Sequence, residues 1–195
     1  MNHRVHRFSF LLAVLTLAWG ASTAAVRAQT VDLIKAAQVK AGHLWNFAKF
    51  TKWPDEAFTD GSAPIVIGVL GADPFGATLD KAVEGKTVEN RSFLVRRLPP
   101  GSENDAAALR SCHILYVSES LQPKLKPILA TLGDAPVLVV GEGDNFSTGG
   151  GMIAFVLSGG NIRFHMNLDA VERTRLQLSS KLMTLAKVVY RKNKE

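Results

Sequence analysis

The chain has 195 residues, 47% hydrophobic and 21% charged, with a formal net charge of +6. That composition fits a globular chain long enough to bury a core and excludes disordered and fibrous classes. Of its 23 basic residues, Arg4, Arg7 and Arg27 lie at the very start; without them 20 stand against 17 acidic residues, a formal +3. No basic patch interleaved with aromatics remains, so nucleic acid is not an expected partner.

Arg4 and Arg7 precede "FSFLLAVLTLAW", an apolar run of about a dozen residues, shorter than the roughly 20 that a spanning helix needs. The small residues of "GASTAAVRAQ" follow. This pattern predicts a secretory signal peptide over residues 1–28, with cleavage after Ala25 or Ala28. The remainder, 29–195, is expected to be one soluble exported domain in the periplasm.

"TVDLIKAAQVKAGHLWNFAKFTKWP" predicts a long amphipathic helix. Ile34, Ala37, Ala41, Leu44 and Ala48 form its core stripe, Trp45 and Phe47 widen it, and Pro54 ends it. "APIVIGVLG" is a buried strand, and "DPFGATLDKAVEG" a short helix with Asp73 as N-cap. The strand "SFLVRRL" and the helix "ENDAAALRS", anchored by Leu109, come next. After them stand the strand "HILYVS", a helix "LQPKLKPILATLGD" made irregular by Pro123 and Pro127, and the strand "PVLVVGE".

The glycine-rich "GDNFSTGGG" reads as a loop. Then "MIAFVLS" and "NIRFHMN" form a hairpin around Gly159–Gly160. "LDAVERTRL" and "SSKLMTLAKVVYRKNKE" are predicted helices, the last with Ser179 as cap and Leu182, Leu185, Ala186 and Val189 as its core stripe. Strands alternating with helices predict an α/β fold, single-domain and layered. Its sheet is mixed but largely parallel and flanked by helices.

Candidate chemistry is sparse. Cys112 is the single cysteine, so no internal disulfide is possible; at the head of the apolar "CHILYV" it reads as a structural thiol. "GVLGADPFG" does not match a dinucleotide-binding fingerprint, and "STGGGMI" leads into a strand where a phosphate loop would lead into a helix. His43, His113 and His165 lie on different elements in no metal-binding spacing. Glu142 and Asp144 sit near a loop with no acid–base partner evident. No catalytic residue, metal or cofactor is expected.

"NIRFHMNLD" holds the remaining signal. As a strand it sends Ile162, Phe164, Met166 and Leu168 to one side, and Asn161, Arg163, His165 and Asn167 to the other. The polar side is either a site, with the Arg163 fork suited to an anion or carboxylate, or a solvated face on which Asn167 turns the chain. Taken with "NFAKFTKWP", "IVIGVLGADPFG", "SCHILYVS", "GGGMIAFVLSGGNIRFHMN" and "LSSKLMTLAKVV", the chain resembles the YfiR family of exported bacterial proteins.

The resemblance implies a non-enzymatic periplasmic regulator. It would bind and repress the periplasmic sensor region of an inner-membrane diguanylate cyclase, lowering cyclic di-GMP signalling. An outer-membrane lipoprotein would act as antagonist. The resemblance further implies a homodimer and a small-molecule pocket using Arg163 and His165. The disulfides of other family members have no counterpart beside the lone Cys112. An alternative is a periplasmic binding module serving a sensor kinase, or no signalling partner. Lys49, Lys52 and Trp53 are expected near Arg163 as further contacts to a small anionic ligand. Trp45, Phe50 and Phe146 are candidates for partner or dimer contact, or else core.

Overall fold

The computed structural model describes residues 32–191; the signal peptide expected over residues 1–28 lies outside them. The chain divides into Met1–Ala36 and Ala37–Glu195. Of the first unit, residues 32–36 are described, and they are helical. Ile34, expected in the core stripe, is 50% exposed there.

Residues 32–49 form α1. Its stripe of Ala37, Ala41, Leu44, Phe47 and Ala48 is buried, as the spacing predicts. The helix stops short of Pro54. Thr51–Lys52 (β1) pairs antiparallel with Gln177–Leu178 (β8), and the Ser179 N–H donates to the Phe50 carbonyl. β-branched Thr51 prefers extended backbone, and so does Trp53 in front of proline; the ribbon then meets the freed backbone groups.

The main sheet has seven strands. In chain order they are Ile65–Leu70 (β2), Phe93–Leu98 (β3), Ile114–Val117 (β4), Leu138–Glu142 (β5), Ile153–Ser158 (β6), Asn161–Asn167 (β7) and Val188–Tyr190 (β9). Their spatial order is β3-β2-β4-β5-β6-β7-β9. The five from β3 to β6 run parallel, β7 returns antiparallel to β6, and β9 lies parallel to β7. The sheet is therefore mixed and largely parallel, as expected. Every residue of β2 and β4 is buried, which requires cover on both faces and explains their unbroken apolar runs.

The connecting helices are Ala77–Val83 (α2), Ala106–Arg110 (α3), Leu125–Leu132 (α4), Asp144–Thr148 (α5), Leu168–Glu172 (α6) and Ser180–Leu185 (α7). Asp105 caps α3 through the Ala107 and Ala108 N–H groups, and Leu109 is its fully buried anchor. A 3-10 segment over Glu119–Lys124 precedes α4, the early irregularity that the prolines predict.

Four expectations are corrected. Asp73 is not a helix cap: its Oδ1 accepts from the Phe75 and Gly76 N–H groups at 2.7 and 3.3 Å, holding a turn before α2 starts at Ala77. "GDNFSTGGG" is not all loop, because α5 forms within it. Phe146 on that helix is 1% exposed and belongs to the core, so it offers no contact surface. Its ring fills the space beside Gly141 and Gly151, where an added Cβ would lie 2.1 Å from it. Last, the C-terminal helix ends at Leu185 and the chain continues as β9. Leu182 is buried, but Leu185 and Val189 are exposed. β7 presents an open edge, and the Val-Val-Tyr run suits strand geometry better than helix; the Lys187 N–H donates to the Phe164 carbonyl to begin the pairing.

The hairpin between β6 and β7 is as predicted. Ser158 pairs with Asn161 across Gly159 (φ 57) and Gly160 (φ 75), the two positive values that a tight primed turn demands.

Candidate functional site at the carboxyl edge of the sheet

The two faces of β7 divide as the alternation predicts. Phe164 and Met166 are buried, and Phe164 packs on Phe47 and His43 of α1 at 5.1 and 5.5 Å between ring centroids. On the other face three of the four polar residues, Arg163, His165 and Asn167, meet different fates. Asn167 is structural: its Oδ1 accepts from the Ala170 N–H, capping α6, and its Nδ2 donates to the Ser147 carbonyl.

His165 is 5% exposed. Its Nδ1 lies 3.5 Å from the Tyr190 hydroxyl and 3.7 Å from Asp144 Oδ1. Its Nε2 is buried without a partner among the described residues. Arg163 is exposed. β9 covers β7 only from His165 to Asn167, so the guanidinium belongs to the uncovered stretch of that edge. Its charge is felt on α1: burial lowers the His43 pKa, and Arg163 lowers it further.

Beside this strand a cavity of about 310 Å³ opens at the carboxyl ends of the parallel strands. Ligands of open α/β sheets collect at that edge, because loops there diverge and leave a crevice. One wall is Phe155, Val156, Leu157 and Ile162 of the hairpin; the other carries Lys40, Glu119, Glu142 and Asp144. Arg163, the register partner of Val156, does not line this cavity: alternation turns it to the face opposite Phe155, Leu157 and Ile162.

The polar wall is organised by Glu142. It accepts from the Tyr116 hydroxyl through one oxygen and pairs with Lys40 Nζ at 2.5 Å through the other. Burial first, and the Glu142 carboxylate second, raise the Tyr116 pKa far above the usual phenol range, so its hydroxyl stays a donor. Lys40 and Tyr116 were missed in the sequence. The available signal was polar atoms placed at the ends of buried strands: Tyr116 late in "HILYVS" and Glu142 at the end of "PVLVVGE".

The remaining candidates lie elsewhere. Trp53 is buried, donates through Nε1 to the His113 carbonyl at 3.3 Å, and has β5 and β6 between it and β7. Lys52 is exposed on β1, opposite Gln177. Lys49 is exposed, with its ammonium 5.3 Å from the Trp45 ring and 5.7 Å from Phe50. Lys86 reaches the same indole at 4.5 Å. Trp45 and Phe50 are half-buried. The structure thus gathers Trp45, Lys49 and Phe50 into one patch at the end of α1.

His113 and Cys112 serve packing. His113 Nδ1 accepts from the Val66 N–H and Nε2 donates to the Ala57 carbonyl, each at 3.0 Å, while Phe58 stacks on the ring at 4.4 Å. Burial lowers its pKa, and Arg91 acts in the same direction. The Cys112 thiol fills the space at Gly68, and burial raises its pKa. Among the described residues no three His, Cys, Asp or Glu side chains converge as metal ligands. No described helix is long and apolar enough to cross a membrane.

A family model described as YfiR/HmsC-like matches residues 37–187. No curated protein is a significant match. Two solved structures are similar in part. A conserved domain protein from Vibrio cholerae O1 biovar El Tor is 9% identical, with a TM-score of 0.49 over 65% of this chain. The ABC domain in complex with L-Trp from Streptococcus pneumoniae is 11% identical, with a TM-score of 0.47 over 69%. The matches extend over 55% and 57% of those two chains, little more than half their length.

Proposed function

We propose, from the premise that this chain belongs to the YfiR/HmsC-like family, that it is an exported, non-enzymatic regulator of an inner-membrane signalling protein. It binds the periplasmic sensor region of a diguanylate cyclase and represses it, lowering cyclic di-GMP. The observation that carries this reading is the family match over residues 37–187, which runs from Ala37 in α1 through α7 and stops just before β9. A small anionic ligand at the carboxyl edge tunes the repression. Arg163 supplies the exposed cation, on the face of β7 opposite Ile162.

His165 acts beneath Arg163 as support. With its ring buried against Tyr190 and near Asp144, it positions the strand rather than meeting solvent. The direct test is capture of the protein, without residues 1–28, on solubilised inner membrane from its own source. Recovery of a protein with a periplasmic region and a diguanylate cyclase domain supports the reading. Recovery of a sensor kinase instead replaces the cyclase as the regulated partner.

A further inference from the structure

β3 is one border of the seven-stranded sheet and, among the described residues, pairs only with β2. The Ile65 N–H donates to the Ser92 carbonyl. Backbone groups alternate along a strand, so Ser92, Leu94 and Arg96 turn theirs toward β2, while Phe93, Val95 and Arg97 turn theirs outward. The opposite border, β9, has three residues; β3 has six, with Leu94 43% exposed. Long apolar edges are normally blunted by charge. Here the two cations of the edge are turned away. Arg97 is held by Asp73, Asp80 and the Gly76 carbonyl, and Arg96 donates to the Ser111 hydroxyl.

A groove of about 670 Å³ runs between α2 and β3, bordered by Val83, Phe93 and Val95 and reaching Lys86. There Lys86 and Lys49 place two ammonium groups over the one Trp45 ring, neither paired with a carboxylate among the described residues. Two like charges on one indole repel, and an incoming carboxylate relieves that repulsion. Glu84 is the one carboxylate of the groove outside the Arg97 network; with Lys81 also lining it, cations prevail.

We propose that the free edge of β3 is a docking strand. It takes an extended, acidic segment of a partner protein by strand addition, with the segment's apolar side chains in the α2–β3 groove and its carboxylates on Lys49 and Lys86. The inference rests on the reading of this chain as a partner-binding regulator and supplies the chemistry of the partner segment.

The experiment uses the chain without residues 1–28 and a synthetic valine–glutamate peptide whose glutamates stand at one end in the same face register as the valines, because Lys86 lines the same groove as Phe93 and Val95. Hydrogen exchange should show new protection at the Phe93, Val95 and Arg97 amides. Val95→Pro removes an outward N–H and no β2 pairing, and should weaken peptide binding about tenfold or more. Lys49→Glu with Lys86→Glu should weaken it similarly and favour the valine–lysine counterpart peptide. This charge reversal stays informative if Val95→Pro fails to fold. Equal binding of both peptides, or protection confined to other strands, overturns the proposal. So does a Val95→Pro-sensitive dimer that excludes the peptide, which would make a second copy the occupant. A negative peptide result leaves the cyclase reading standing on its own membrane-capture test.

Discussion

Arg163 and His165 differ by two positions and share a strand face, yet they have opposite exposures. The difference comes from β9, which covers the edge of β7 from His165 onward and leaves Arg163 open. The proposed ligand contact is therefore Arg163. Arg163→Ala should weaken calorimetric affinity for an anionic ligand by about 1.5–3 kcal/mol, the value of one charged hydrogen bond; unchanged affinity removes Arg163 from the site. His113 makes a second test at this scale. Its fold-bound form is the neutral one, with Nδ1 accepting from Val66, and its pKa is lowered from 6.5. His43 is lowered as well. The unfolded chain then binds more protons below the ordinary histidine value, so stability is full above about pH 6.5 and falls as pH drops through it. Urea melts at neutral and mildly acid pH should show that loss, and His113→Gln should flatten part of the slope.

At the scale of elements, glycine placement has a measurable consequence. Gly151 and Gly141 flank the Phe146 ring so closely that an added methyl overlaps it. Gly151→Ala should cost about 1–3 kcal/mol as overpacking in a filled core, read as a lower urea midpoint; no shift would mean that α5 moves aside freely. The strands were legible as apolar runs, since β2, β4 and β5 are buried on both faces and need no pattern beyond hydrophobicity. The C-terminal segment was not. Leu182, Leu185, Ala186 and Val189 repeat at helical spacing, and helix does form as far as Leu185; beyond it the open edge of β7 decides, and a distant edge leaves no local signal. The same holds for the polar wall of the cavity. Lys40 and Glu142 are 102 residues apart in sequence, and only the packing of α1 on the sheet brings them together.

For the whole molecule, the mixed sheet concentrates chemistry at its carboxyl edge. The Tyr116–Glu142–Lys40 cluster and the cavity gather there, while Arg163 lies on the face of β7 opposite Ile162. Trp45, Lys49 and Lys86 form a second surface at the end of α1. This division suits a regulator that reads a small ligand at one place and holds a partner at another. The most direct measurement is cellular cyclic di-GMP in a strain lacking the gene, compared with the parent and with a complemented strain, under conditions that express the protein. Loss of the gene should raise cyclic di-GMP, and complementation should lower it again. An unchanged level in the deletion strain would contradict repression of a diguanylate cyclase.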